Sequence, residues 1–266
     1  NGLLTDPPAL AILAQGTKRS LKALRTTDWM EEGPLHHTLA RAAQRGLIGA
    51  ALGALLMTST AALADDGASL VSPQPFEAQY RLEIRGWPGA TITHTLTNEG
   101  SHWLSDMSFS IAVARGQERS RFSIDDDSTH SLLYNSSYSL FGVGDSYQLN
   151  EGDISSIDRQ AALFDLSRRA GTEGCTESSP CDISFVDHRG RDENFQYYVN
   201  APTTARVPAG EFEAKQVTLI DAEKPDRHLL INFHPEWPGL ILSATYEKGG
   251  RRQTTLTMTQ FNPAGG

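Results

Sequence analysis

Reactive motifs are what this chain most lacks. It contains no G-x-S-x-G turn for a serine nucleophile, no H-E-x-x-H metal helix and no phosphate-binding Walker loop, and no S-x-x-K follows Ala64. Those absences remove the most legible routes to acyl transfer, metal-assisted hydrolysis and phosphoryl transfer. Cysteine is nearly absent too, with Cys175 and Cys181 the only two among 266 residues. Cations are fewer than anions, 23 Lys and Arg against 32 Asp and Glu. An acidic chain of this kind is repelled by nucleic acid and by anionic lipid headgroups, so no nucleic-acid partner is expected. Long apolar runs are missing as well. Leu47–Met57 spans eleven residues rich in Ala and Gly, short of the ~20 that a membrane-spanning helix requires.

That short run has a different reading. Arg41 and Arg45 precede it, and Ala62-Leu63-Ala64 follows it. A basic stretch, a short apolar segment and an A-x-A site together make a secretory signal peptide, cleaved after Ala64. Met30 is the first methionine in the chain, and a start there would give a signal peptide of ordinary length. Residues 1–64 therefore read as an upstream segment plus signal peptide, 65–74 as a linker rich in Gly, Ser, Pro and Asp, and 75–262 as a single folded domain. Removing six basic and four acidic residues with the leader leaves 17 and 28, a net charge of −11. The expected location is the periplasm.

Export places both cysteines in an oxidising compartment. Five residues including Pro180 separate Cys175 from Cys181, so a disulfide closing a small loop is expected. A redox or metal pair is the alternative, but the spacing is not C-x-x-C and no histidine lies within the loop.

What the chain does have is alternation. Phe76, Ala78, Tyr80, Leu82 and Ile84 interleave with Glu77, Gln79, Arg81 and Glu83. A period of two gives a strand with one dry and one wet face. Gly86-Trp87-Pro88-Gly89 then turns the chain into Ala90–Asn98, where Ala90, Ile92, His94 and Leu96 share a face and four threonines occupy the other. Further strands are expected around Met107 to Val113, from Phe122, over Leu132 to Leu149 and over Ile183 to Val186. Others follow through Phe195 to Val199, Phe212 to Ile220, His228 to His234, Leu240 to Tyr246 and Thr254 to Phe261. Turns are expected at Arg115-Gly116-Gln117, near Gly142-Val143-Gly144-Asp145 and at Glu223-Lys224-Pro225-Asp226. One helix is expected between Asp158 and Arg169, capped by Ser156 or Asp158, with Arg168 and Arg169 at its negative end. The fold class is all-β and mostly antiparallel: a curved sheet, half-barrel or barrel of about ten to twelve strands with one covering helix.

Candidate chemistry is thin. His228 and His234 lie on one strand about 20 Å apart at ~3.3 Å per residue, too far to share a metal. Asp125-Asp126-Asp127-Ser128 lacks the spaced ligands of a calcium loop. Asp158-Arg159 is the sharpest charged pair and reads as a helix cap with a neighbouring surface or partly buried ion pair. Tyr80, Trp87, Trp103, Tyr138, Tyr147, Tyr197, Tyr198 and Trp237 either line a pocket or fill the core. No catalytic residue, metal ligand or cofactor site is assigned, and the ligand-binding residues stay open.

Several segments together resemble a known family. Pro75-Phe76, Ala78, Tyr80, Gly86, Gly89 and Trp103 look like the opening of the bacterial envelope proteins grouped as domain of unknown function 3108. Asp158–Leu166 resembles that family's central Asp-Arg-Gln-x-Ala segment. Pro208-Ala209-Gly210-Glu211-Phe212 with Val217 resembles its Gly-x-Phe segment, and Pro238–Leu242 with Gly249-Gly250 its closing hairpin. The cysteine loop and Phe233-His234-Pro235 depart from the pattern. The resemblance implies an exported β-rich domain in a Gram-negative envelope and supplies no catalytic residues. The expected role is a binding or envelope-associated module for an apolar ligand or other envelope component. A carboxylate-dependent hydrolase of envelope glycans and a protein-interaction module are the alternatives.

Overall fold

A computed structural model describes residues 70–125, 128–172 and 174–264. The expected leader, the cleavage after Ala64, the start at Met30 and most of the linker lie outside the described residues, as do Asp126 and Asp127 of the acidic turn.

Among the described residues, thirteen strands form one antiparallel sheet around a single α-helix. The strands are β1 (Phe76–Ile84), β2 (Ala90–Asn98), β3 (Trp103–Ile111), β4 (Ala114–Ile124), β5 (Thr129–Leu140) and β6 (Val143–Asn150) in the first half. The helix α1 (Arg159–Arg169) follows. The second half holds β7 (Cys181–Val186), β8 (Asp192–Val199), β9 (Thr203–Val207), β10 (Gly210–Asp221), β11 (Lys224–Phe233), β12 (Ile241–Lys248) and β13 (Arg251–Pro263). The spatial order is β6-β5-β4-β3-β2-β1-β13-β12-β11-β10-β8-β7, with β9 paired to β10. β1 and β13 thus join at the centre, Phe76 opposite Pro263 and Ile84 opposite Thr254.

Alternation works as the sequence implies. Phe76, Ala78, Tyr80 and Leu82 of β1 are buried, as are Ala90, Ile92, His94 and Leu96 of β2, and the two sets oppose one another in register. Burying each large apolar side chain stabilises the fold by about 1.5–3 kcal/mol, and a one-residue slip would turn every one of them to water.

The sheet curls without closing into a barrel. β6 and β7 stand at its two ends, and no ladder joins them among the described residues. Even so, Tyr134, Leu149 and Val186 share a buried cluster, and the Tyr147 ring lies 5.2 Å from that of His188. The chain entering α1 runs between the two ends: the Val186 amide donates to the Ile157 carbonyl at 2.8 Å, and Asp158 forms a lone parallel bridge to Val186.

Three expected turns shift. The chain reverses at Ala112-Val113, and Gly116 lies inside β4 opposite Phe109. A Cβ at Gly116 would sit 2.3 Å from Phe109 Cε1, so this glycine makes room for a ring. Gly144 is likewise a strand residue, opposite Ser139, and a Cβ there would meet the Tyr138 carbonyl at 1.7 Å; the reversal is at Phe141-Gly142, at the start of the expected break. Ala222-Glu223 turns β10 into β11, which already contains Pro225 next to a bulge. The strand β9, polar apart from Ala205 and Val207, exceeds the expected count.

Candidate functional site

The polar centre of the described residues lies where the start of α1 enters the concave face of β4 and β5. Asp158 precedes the helix in an extended conformation, and one carboxylate oxygen accepts from the amides of Gln160 and Ala161, both at 3.0 Å. These are two of the amides that a helix start leaves unpaired. The other oxygen accepts from the Ser120 hydroxyl at 2.7 Å and the Ser131 hydroxyl at 2.6 Å. Ser131 Oγ in turn accepts from the Asp158 amide at 2.8 Å. Burial pushes the Asp158 carboxyl above its ordinary value, against the lowering effect of those hydrogen bonds.

Arg159 is the largest fully buried side chain among the described residues. Its guanidinium is ion-paired with Glu118 of β4, whose Oε2 lies 3.0 Å from Nε. The Tyr134 hydroxyl of β5 is 3.1 Å from the same Nε. Both partners of the ion pair are 1% exposed. Burial pushes the Tyr134 phenol well above its usual range, and the Asp158 charge adds to that. Gln160 Nε2 donates to the Glu118 carbonyl at 3.3 Å. His188, in the turn after β7, is also buried and is held down at about 4, first by burial and then by the charge of Arg159.

Further along α1, Thr129 donates to Asp165 at 2.9 Å, and Arg169 Nε donates to the other Asp165 oxygen at 2.7 Å. Ser167 Oγ accepts from the Gly239 amide at 2.7 Å, and Lys215 Nζ donates to the Ser167 carbonyl at 3.1 Å. The helix is thus held from the β4–β5 side and from the β11–β12 connection. The space beside its first turns, bordered by His94, Ser105, Gln160 and Phe164, amounts to ≈ 10 Å³, about one water. His94 donates to or accepts from Ser105 Oγ at 3.0 Å through Nε2 and is held down at about 4 by burial.

Chemically this arrangement is a clamp. Both oxygens of Asp158 are occupied by four donors, and Glu118 and Arg159 neutralise each other out of water. The expected helix cap is therefore present, but the ion pair beside it, Arg159 with Glu118, is fully buried and not at the surface or partly buried as expected, because Glu118 lies in the dry register of β4. Glu118, Ser120, Ser131, Tyr134 and His188 escaped the sequence reading. The signal for Glu118 was its place in the alternating series Ala114, Gly116, Glu118, Ser120 and Phe122.

The other candidates are dispersed. Cys175 and Cys181 are bonded, with Cα atoms 5.3 Å apart. His228 is exposed and bonds the Pro225 carbonyl at 3.0 Å, whereas the His234 ring packs 5.8 Å from Phe212. Tyr80 and Tyr197 are core residues, while Trp87 is exposed. No group of three or more metal-ligating side chains occurs among the described residues, and no helix among them is long and apolar enough to cross a membrane.

No family model matches the chain, and no curated protein matches it. Among solved structures it is similar to a protein described as exported, with a YmcC-like fold, from Bacteroides fragilis: 10% identity over 73% of this chain and 99% of that one, TM-score 0.36. It is also similar to a chain of the MucA/MucB complex of Pseudomonas aeruginosa, at 12% identity over 72% of this chain and 52% of that one, TM-score 0.37.

Proposed function

We propose that this chain is an exported, periplasmic β-domain that acts without chemistry of its own, as a module that binds or scaffolds a component of the cell envelope. The observation that carries the reading is the clamped helix on the concave face, with room for about one water beside its first turns. An enclosed apolar cargo would need space that α1 occupies, and α1 is fixed by a buried ion pair, a saturated cap and contacts from two sides. Binding is therefore assigned to the outer surface and rim of the sheet. Neither Glu118 nor Asp158 is within reach of a glycan, which argues against the hydrolase alternative. The leader ending at Ala64 and the bonded Cys175–Cys181 pair support export. We also propose kinship with the domain of unknown function 3108 proteins, because the Asp158–Leu166 segment that carries the resemblance is the segment that builds the clamp.

Fractionation of a Gram-negative host expressing the full chain tests this. The expected product is processed to an end at Asp65, released by osmotic shock or held with the envelope fraction, and carries no free thiol. An unprocessed product with two free thiols in the cytoplasm would overturn the reading.

A further inference from the structure

The register of the strands brings six turns to one end of the sheet, β7–β8 and β10–β11 among them. Leu82 faces Ala90, Ile111 faces Ala114, Leu140 faces Val143 and Ile84 faces Thr254. The turns β1–β2, β3–β4, β5–β6 and β12–β13 therefore leave the sheet together. Two bonds tie them, from the Phe141 amide to the Val113 carbonyl at 2.8 Å and from the Arg85 amide to the Gln253 carbonyl at 2.9 Å.

Of the large apolar side chains that are exposed among the described residues, Trp87, Phe141 and Val143 all lie on this rim, at 42%, 76% and 79% exposure. Phe141 has a second peculiarity. Its φ is +51°, and it is the one non-glycine residue with positive φ among those described. A two-residue Phe141-Gly142 hairpin turn with both φ values positive ordinarily takes Asn at the first position. A bulky ring there is unfavourable for the backbone and for solvation alike. The fold gains nothing visible from it.

Cations cluster at these four turns. Arg85, Arg115, Lys248, Arg251 and Arg252 are exposed there, and none of them forms an ion pair among the described residues. Of the acids nearby, Asp145 is engaged by the Tyr138 hydroxyl at 2.8 Å and Glu83 by the Thr255 hydroxyl at 3.3 Å, while Glu247 lies opposite Arg252 in the ladder and the Asp226 carbonyl accepts from the Gly249 amide at 2.8 Å. These unpaired cations stand on a chain whose formal net charge is −9.

We infer that this rim docks on an anionic lipid bilayer, with Trp87, Phe141 and Val143 entering the interface and the arginines and lysine pairing with lipid phosphates. The inference rests on the envelope-module reading and names its partner. Phe141 and Val143 share the β5–β6 turn, and Trp87 stands two turn tips away, about four strand separations or ~20 Å, so the apolar groups form two separated points with polar chain between them. A protein partner requires a contiguous complementary patch of about 800 Å², whereas a bilayer accepts points without shape matching. Tryptophan beside basic residues is the composition that interfaces favour, and each cation near an anionic surface strengthens binding about fivefold.

Sedimentation with vesicles of phosphatidylethanolamine and phosphatidylglycerol, against vesicles of phosphatidylcholine alone, tests the docking. The purified protein is expected to bind the anionic vesicles and to lose most of that binding at high salt. Phe141→Asn is expected to bind about tenfold more weakly while its melting temperature is unchanged or higher, a combination that a purely structural residue cannot give. Arg251→Glu with Arg252→Glu is expected to weaken binding by more than tenfold. Equal affinity for both vesicle types, no binding at all, or wild-type binding by Phe141→Asn would overturn the inference. Cytoplasmic retention in the fractionation would overturn the export reading alone, since vesicle binding is measured on purified protein.

Discussion

Arg159 and Glu118, 41 positions apart, meet as an ion pair between α1 and β4 with each side chain 1% exposed. The energetic meaning of such a pair lies in what happens when half of it is removed. Desolvating two charges cancels most of their attraction, but a lone buried charge has no compensation at all. Glu118→Ala or Arg159→Ala is therefore expected to cost about 3–5 kcal/mol in urea unfolding. Glu118→Leu combined with Arg159→Met is expected to cost less than either single change, and a strictly additive pair would refute this account of the clamp.

Acid should loosen the fold through its buried histidines. His94 is held at about 4 against an ordinary 6.5, by burial among Phe76, Tyr80 and Ser105. A depressed folded-state value means that stability is fully present above about 6.5 and is lost as pH falls toward 4. Between pH 7 and pH 5 the loss from His94 amounts to about 2 kcal/mol, and His188 acts in the same direction. Asp158, raised by burial, acts oppositely and gains as pH falls. The His94→Gln variant should be less stable at pH 7 yet show a visibly flatter pH dependence of its unfolding midpoint. An unchanged slope would contradict the assignment.

Gly116 and Phe109 should be coupled. A methyl group at Gly116 collides with the Phe109 ring, and overpacking of this kind costs about 1–3 kcal/mol. Gly116→Ala should destabilise alone and do so less in a Phe109→Leu background. Equal effects in both backgrounds would mean that the glycine serves the backbone.

The small loop between Cys175 and Cys181, with a sequence separation of six, restricts the unfolded chain only modestly. Replacing both with Ser should cost about 2 kcal/mol and leave the far-ultraviolet spectrum of the sheet intact. A collapse of the whole fold would show that the bridge holds more than its own loop.

The sheet was largely legible in the sequence because β1 and β2 alternate without interruption, and α1 was legible because Asp158, the arginines at its end and its alanines agree. The clamp was only half legible. Asp158-Arg159 stood out, but Glu118 did not, since reading Gly116 as a turn removed the strand that places Glu118 in the dry register. A glycine that reverses the chain and one that admits a ring look identical in sequence. The same ambiguity hid Gly144. Phe141 could not be singled out either, because its oddity is a backbone angle. The meeting of β6 with β7 depends on the curl of the whole sheet and leaves no local trace.

Hydrogen exchange of α1 tests the central claim most directly, that the helix is fixed on the concave face. The amides of Ala162 to Ala170 should exchange only with global unfolding, as slowly as those of β4 and β5, with and without an apolar probe such as a fatty acid. Exchange of α1 well ahead of those strands, accelerated further by the probe, would show a lid over a cavity that can be filled and would contradict the account.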